Sequence, residues 1–425
     1  MTDADNIHAY KERTNSGVIK LKNVISEKLS LLNQAHILKH IKELDESEQE
    51  KLINQIENLD FSVLDENVAD EKRGVIEPLF AMTIEEAEKN KARHRETGEA
   101  AIKAGKVGAV LLAGGQGSRL GFDKPKGMFN IGETKELYIF ECLINNLLDV
   151  VKQTGSWIPL FIMTSAQNDK DTRDFLEKHN YFGYSSDNVM FFVQEQLPTV
   201  DLNGKLMLAD KGTVSTAPNG NGGWYASMIK SGMFKILKDN KIEWLNVFAV
   251  DNVLQRIADP CFIGAVIDSG KESGSKVVAK ADADERVGVM CLEDGKPSIV
   301  EYYEMTPEMR YSKEADGRLS YNYGVILNYI FRIDNLNKLL NENLPLHKAF
   351  KKVEYYDETV DAVVTPEEPN AYKYETLVLD MVKLQDSCLA YEVERSREFA
   401  PVKNKTGVDS VDTARELLKL NGVEL

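Results

Sequence analysis

The sequence predicts an α/β protein built on a doubly wound sheet, and two observations in its middle section carry that expectation. Apolar runs of strand length recur there: VGAVLLA (107–113), IPLFIMTS (158–165), NVMFFV (188–193), WLNVFAVDN (244–252) and SKVVAK (275–280). Stretches with helical spacing separate the first few, as in ELYIFECLINNLLDVVKQ (136–153). Near-continuous apolar strands alternating with helices are what a mostly parallel sheet, covered on both faces, requires.

The flanks read differently. From about Gly17 to Arg95 the periodicity is helical. Ile37, Ile41 and Leu44 form one stripe, Leu52, Ile56 and Leu59 another, and Ser47 with Glu50 makes a capping box between them. His36 and His40 stand one turn apart with no third ligand nearby, so a metal site is not expected there. Past the central runs, GVMCLE and SIVEYYEM are short and closely spaced, as in an added mixed or antiparallel layer. Beyond about Pro345 comes a charged, irregular stretch with Pro366 and Pro369. A helix (YETLVLDMVKL), a strand (CLAYEVER), a lysine-bearing loop (FAPVKNKTG) and a last helix from Ser410 follow. The expected organisation is a helical N-terminal domain (1–100), a central domain (101–345) and a small α+β C-terminal domain (346–425).

Bulk properties narrow the function. The 425 residues are 43% hydrophobic, enough for a large core, and 68 acidic against 52 basic side chains leave a formal charge of −16. Such a chain repels nucleic acid, and an anionic substrate needs positive charge gathered at one place. The four cysteines (Cys142, Cys261, Cys291 and Cys388) are widely spaced and form no C-x-x-C pair. A disulfide framework or metal cluster is therefore not expected, and a reducing compartment fits. The polar start, MTDADNIHAYKERTNSG, has no apolar core, and no run approaches the ~20 residues of a membrane helix. A cytoplasmic protein is expected.

The stretch VLLAGGQGSRLGFDKPKG (110–127) supplies the missing positive charge. It follows the first apolar run, and open α/β sheets bind ligands at the carboxyl ends of their strands. Gly114, Gly115, Gly117 and Gly121 let backbone amides approach an anion. No Gly-Lys-Ser/Thr closes the loop as in a Walker A motif. Nor is it the dinucleotide fingerprint, because Leu120 stands where the third glycine belongs. Arg119, Lys124 and Lys126, with Pro125 fixing the chain direction, suit several phosphates.

LAGGQGSRLGFDKPKG resembles the nucleotide loop of the eukaryotic-type UDP-N-acetylhexosamine pyrophosphorylases, sugar nucleotidyltransferases of the UDP-sugar pyrophosphorylase superfamily. The resemblance runs nearly the whole length, through NQAHILKHIKELDESEQEKLINQIENLD, PNGNGGWYASM, FAVDNVLQRIADPCFIG, SIVEYYEM, KYETLVLD and FAPVKN. It implies a Rossmann-like nucleotidyltransferase domain. It also implies uridylyl transfer from UTP to N-acetylglucosamine 1-phosphate, with Mg²⁺ (or Mn²⁺) as cofactor. By that resemblance Gly114 and Gly115 lie against the uridine and its first phosphate. Arg119 and Lys126 hold the triphosphate, and Gln194 reads the uracil edge, which a donor–acceptor amide suits. Gly220 and Asn221 face the uridine and sugar, although PNGNGG reads equally well as a plain surface turn. Asp251, just past a buried apolar strand, serves the metal, and oxygen ligands suit Mg²⁺. Gly288, Glu301 and Tyr302 line the sugar. Lys403 reaches the sugar phosphate from a C-terminal domain that closes over it.

The sequence departs from the family at the sugar. In YNYGVIL Asn322 matches the first asparagine of an N-A-G-N segment, but Val325 stands at the second, and Leu377 and Leu379 replace phenylalanines. One lost polar contact costs roughly 1 kcal/mol or more. Other sugar 1-phosphates (N-acetylgalactosamine, glucose or galactose) therefore remain open as substrates. A non-catalytic sugar-nucleotide binder and a dehydrogenase are the competing classes; retention of the cations argues against the first, and the loop spacing against the second. No hexapeptide repeat indicates a fused acetyltransferase. No nucleic-acid or membrane partner is expected, and the chain is taken as a monomer or weak dimer.

Overall fold

The computed structural model describes residues 24–64, 73–340, 342 and 344–425. The polar start of the chain and two parts of the expected N-terminal helical region, 17–23 and 65–72, lie outside the described residues. The chain forms two compact units. The smaller combines the N-terminal segment with Glu195–Gly220 and Pro345–Thr376, and the larger holds the rest.

In the smaller unit, helices α1 (Ile37–Glu43) and α2 (Glu46–Asn58) carry the two apolar stripes. Ile37, Ile41, Leu52 and Ile56 bury against Leu197, Val200, Leu206, Leu208 and Tyr374. The capping box differs from the expected one. Asp45 is the N-cap, its carboxylate accepting from Glu48 N at 2.9 Å while the Glu48 carboxylate accepts from Asp45 N at 3.1 Å. Ser47 therefore falls inside the first turn, because a cap at Asp45 turns Leu52, Ile53 and Ile56 inward together. His36 Nε2 meets the Leu206 carbonyl at 2.9 Å, and His40 Nε2 meets Glu358 at 2.7 Å. The stretch expected to be irregular holds short strands. His347–Lys351, Ala371–Glu375 and Val200–Asp201 form a three-stranded antiparallel sheet. Tyr374 and Glu375 thus belong to a strand, and the helix expected from that point begins at Val378.

The larger unit is organised on a ten-stranded mixed sheet. Its strands are β1 (Ile76–Pro78), β2 (Val107–Leu112), β3 (Leu160–Thr164), β4 (Val189–Val193), β5 (Trp244–Ala249), β6 (Ser273–Ala279), β7 (Val289–Glu293), β8 (Lys296–Val300), β9 (Tyr323–Arg332) and β10 (Cys388–Glu392). The central path runs β1-β7-β9-β5-β2-β3-β4. β5, β2, β3 and β4 are parallel neighbours. β9 pairs antiparallel with β5 and β6, and β6 pairs parallel with β10. The hairpin β7–β8 extends this same sheet. β1 lies in the stretch expected to be helical: Gly74 and Pro78 interrupt the helical pattern, and Ile76–Pro78 pairs antiparallel with β7.

Helices cover both faces of the sheet. On one face α4 (Ile139–Thr154), α7 (Pro260–Ser269) and α9 (Val411–Leu420) pack against Val107, Ala109, Leu111 and Ala113. On the other, α6 (Trp224–Lys230) and α8 (Val378–Lys383) pack against Val110 and Leu112. This alternation along β2 explains why it reads as an unbroken apolar run. Helix α3 (Lys91–Lys103) crosses α7 at van der Waals distance, since a Cβ on Gly264 would fall 1.7 Å from the His94 carbonyl oxygen. No helix among the described residues is long and apolar enough to cross a membrane.

Candidate active site

Strand register places the charged residues. Leu112 at the end of β2 pairs with Ala249 at the end of β5, so the glycine loop and Asp251 leave the sheet side by side at the same carboxyl edge. Gln194 follows β4 at that edge, its backbone amide donating to the Thr164 carbonyl at 2.8 Å.

The loop is a tightly bonded turn. Gly117 N donates to Lys124 O at 2.9 Å, Lys126 N to Gly115 O at 3.2 Å, and Gln116 bridges Pro125. The glycines are needed for different reasons. Gly121 adopts φ 69°, and a Cβ on Gly117 would fall 2.8 Å from Phe122. A Cβ on Gly114 would lie 2.7 Å from the Gln194 side-chain oxygen, so two residues assigned to the nucleoside are in mutual contact. Gly115 faces open space, its backbone exposed.

Four residues converge beside this loop. Lys126 is only 9% exposed. Burial pushes its ammonium below the ordinary lysine range; Asp251 favours the charged form, while Arg119 and Lys403 oppose it. Arg119, Asp251 and Lys403 thus each lie within electrostatic reach of Lys126. Arg119 is exposed at the loop tip. Lys124, counted with the cations in the sequence, is turned to Asp171 at 2.9 Å, on α5 (Asp169–Lys178).

Asn252, 1% exposed, delivers Lys403. Its side-chain amide donates to the Glu398 carbonyl at 2.8 Å and accepts from Ala400 N at 2.9 Å. Val402 N then donates to the Asp251 carbonyl at 2.8 Å. Lys403 itself is half-buried, its ammonium 3.0 Å from Asp409. Below lies a buried ion cluster in which Lys276, fully buried, contacts Glu398 at 2.6 Å and Asp259 at 3.0 Å.

The sugar-facing residues fall into separate groups. A Cβ on Gly288 would lie 3.3 Å from a Glu301 carboxylate oxygen and 3.4 Å from Val325, so these three share one patch. Val325 N donates to Gly288 O at 2.9 Å. Asn322 uses its carbonyl to accept from Lys280 N at 2.9 Å. Tyr302 stacks edge-on against Tyr303 and lines a pocket of about 510 Å³ with Asp284, Glu285, Arg286 and Arg310. Of the expected site residues only Tyr302 lines it. Gly220 belongs to the smaller unit, where its φ of 83° demands a glycine, as does the Thr376 carbonyl oxygen, which a Cβ would approach to 2.2 Å. Asn221 belongs to the larger unit and caps α8, accepting from Val378 N at 2.9 Å. Leu377 is the N-cap of that helix, and Leu379 packs on the core. The anchoring residue Asn252 carried no signal of its own, because a lone asparagine beside a strand end reads as a turn.

Residues 60–412 match the UTP–glucose-1-phosphate uridylyltransferase family. The chain is 39% identical over 331 residues to mouse UDP-N-acetylhexosamine pyrophosphorylase-like protein 1, covering 76% of this chain and 65% of that one, less than two thirds of its length. It is 35% identical over 407 residues to UDP-N-acetylglucosamine pyrophosphorylase of Saccharomyces cerevisiae, covering 92% and 84% respectively. The crystal structure of the uridine diphosphate N-acetylglucosamine pyrophosphorylase from Trypanosoma brucei in complex with inhibitor superposes with a TM-score of 0.78 at 26% identity, over 94% of this chain and 84% of that one. With most of its length matched, glycine loop and Asp251 included, the chain belongs to the UTP–glucose-1-phosphate uridylyltransferase family.

Proposed function

We propose that the protein is a UDP-N-acetylglucosamine pyrophosphorylase, transferring the uridylyl group of UTP to N-acetylglucosamine 1-phosphate with release of pyrophosphate. The observation that carries this reading is the buried Lys126, which feels the charges of Asp251, Arg119 and Lys403, beside an exposed glycine backbone. The names of the relatives support the same chemistry.

In this reaction a phosphate oxygen of the sugar 1-phosphate attacks the α-phosphorus of UTP, the bond to the β-phosphate breaks, and pyrophosphate leaves with the electron pair. Both reactants are anions, so holding them in line and offsetting charge is the main task. The loop amides and Arg119 take the triphosphate. Lys126, costly to bury as a cation, gains phosphate oxygens as partners and offsets the charge growing on the leaving group. Gln194 and Gly114 meet the base, and Lys403 leaves Asp409 for the sugar phosphate, which makes the 403–409 loop the closing part of the C-terminal segment.

The donor set fits Mg²⁺ (or Mn²⁺) of a particular kind. Among the described residues no three metal-ligating side chains cluster, which excludes an all-protein cage there. One half-buried carboxylate beside the phosphate site suits an ion shared with nucleotide phosphates and water. Asp251 would hold it, and the ion when bound would neutralise and orient the phosphates. The protein is taken to act in the cytoplasm as a monomer or weak dimer, without nucleic-acid or membrane partners.

Val325 beside Glu301 and Gly288 favours a second reading in which another sugar 1-phosphate is preferred. Pyrophosphate release and UDP-sugar formation, measured with UTP, Mg²⁺ and N-acetylglucosamine, N-acetylgalactosamine, glucose or galactose 1-phosphate, decide between them. N-acetylglucosamine 1-phosphate is expected to be fastest. A faster rival puts the second reading in its place, and no pyrophosphate release with any sugar refutes both.

A further inference from the structure

Asn168 is completely buried, yet it belongs to none of the motifs that mark the site. It stands after β3, immediately before α5, and leaves that helix without a side-chain cap. Its amide instead points at the glycine loop: Nδ2 donates to the Ala113 carbonyl at 3.0 Å and lies 3.5 Å from the Gly115 carbonyl. Its Oδ1 accepts from Ser165 N at 2.7 Å, locking the side chain in place. Ser165 in turn packs 3.7 Å from the position a Cβ would occupy on Gly114. One side chain therefore ties the backbone on both sides of Gly114 to the end of the neighbouring strand.

The loop has no side chain of its own at 114 and 115 with which to hold its shape, and the peptide on either side is free to rotate unless its carbonyls are fixed. In a trans peptide the N–H points away from its carbonyl, so tying the Ala113 and Gly115 carbonyls to Asn168 turns the Gly114 and Gln116 amides away from it. Resting on the nucleotide reading of that loop, we infer that Asn168 is a positioning residue for the nucleotide: it pre-orients the Gly114–Gly115 backbone for UTP and makes no contact with the sugar phosphate. A preorganised anion cradle spends none of its binding free energy on ordering. Loss of the tether therefore falls on nucleotide affinity, leaving affinity for the second substrate nearly untouched.

The test combines calorimetric titration of UTP with Mg²⁺ and steady-state kinetics on wild type, Asn168→Ala and Asn168→Asp. For Asn168→Ala a tenfold or greater loss of UTP affinity is expected, with an equal rise in KM for UTP, while KM for the sugar 1-phosphate stays within twofold. Asn168→Asp keeps the acceptor for Ser165 N but turns a carboxylate oxygen on the two carbonyls. Its UTP affinity is expected to be poor at pH 8 and to recover towards pH 6, where a protonated carboxyl again donates to Ala113, whereas Asn168→Ala shows no such recovery. UTP affinity of Asn168→Ala equal to wild type overturns the inference, as do equal losses for both substrates or parallel pH profiles of the two variants. Wild-type protein that binds no UTP overturns the nucleotide reading, and this inference with it.

Discussion

At the scale of single residues the site concentrates charge that the free protein would be better without. Lys126 is buried, its counter-charge is the lone Asp251 carboxylate, and Arg119 and Lys403 press against it. A lysine whose folded pKa lies below its unfolded value destabilises the fold while both states are protonated at low and neutral pH. That penalty shrinks as pH rises towards the ordinary value of about 10.4. Replacing it by Met, of similar length and without charge, should therefore raise the melting temperature of the ligand-free protein at pH 7, with the gain fading as pH rises towards about 10.4. The same change should lower kcat/KM by about 100-fold or more, the cost of losing a cation aimed at transition-state charge, and should remove most of the thermal shift caused by UTP. Melting scans with and without UTP, alongside initial rates, check both halves. A variant no more stable than wild type would show that Asp251 already compensates the charge. The loop residues were legible in the sequence because glycine and cation count, position after a strand and motif order all agreed. Asn168 and Asn252 were not, since what makes them matter is a carbonyl brought close by folding.

At the scale of elements, the edge of the large sheet is fastened by one buried carboxylate. Burial pushes Glu293 on β7 up, but the Gly74 amide, the Ser298 hydroxyl and Arg73 outweigh it, with Lys383 adding to them, and hold it at about 2. Gly74 N donates to it at 2.9 Å and Arg73 lies 2.9 Å away. A depressed carboxyl contributes stability that is fully present above its unfolded pKa and is lost as pH falls from about 4.5 towards 2. The shift corresponds to roughly 3 kcal/mol at neutral pH. Glu293→Gln should lower the unfolding free energy from urea titration at pH 7 by an amount of that order, and the gap to wild type should narrow steadily between pH 5 and pH 2.5. A gap independent of pH would assign the loss to packing. This fastening accounts for an element that periodicity missed. β1 is three residues long and pairs with a strand more than two hundred positions away, so nothing local distinguishes it from the ends of neighbouring helices. Four of the five apolar strands, β2, β3, β5 and β6, were legible because both their faces are buried and each therefore carries its own signal, while β4, half-buried at the end of the strand path, is still apolar throughout. Tyr374 and Glu375, the end of the strand Ala371–Glu375, were read as the start of a helix because that strand's ladder partner, His347–Lys351, sits across a charged stretch with no periodicity of its own.

At the scale of the whole molecule, the two compact units have separate cores, and linear reading was blind to the smaller one because three distant segments build it. Its core is the smaller, and its segments must be gathered at a cost in loop closure. Sub-global opening of such a unit is expected at lower free energy than opening of the large sheet. Amides of α2 should therefore exchange with solvent faster than those of β2, whose six residues are all buried between two helical layers. Arg119, Lys126, Gln194, Asp251 and Lys403 all belong to the larger unit. A ligand that binds only the folded state stabilises it by about 2.7 kcal/mol at a hundredfold excess over Kd. Saturating UTP with Mg²⁺ should accordingly slow exchange in β2 and β5 by up to about 100-fold and protect the amides of 114–128 as well. Protection in α2 should change far less if the smaller unit opens on its own. Hydrogen exchange read by mass spectrometry resolves these segments. Nucleotide-dependent protection confined to the smaller unit, with residues 114–128 unmoved, would place the triphosphate away from the glycine loop.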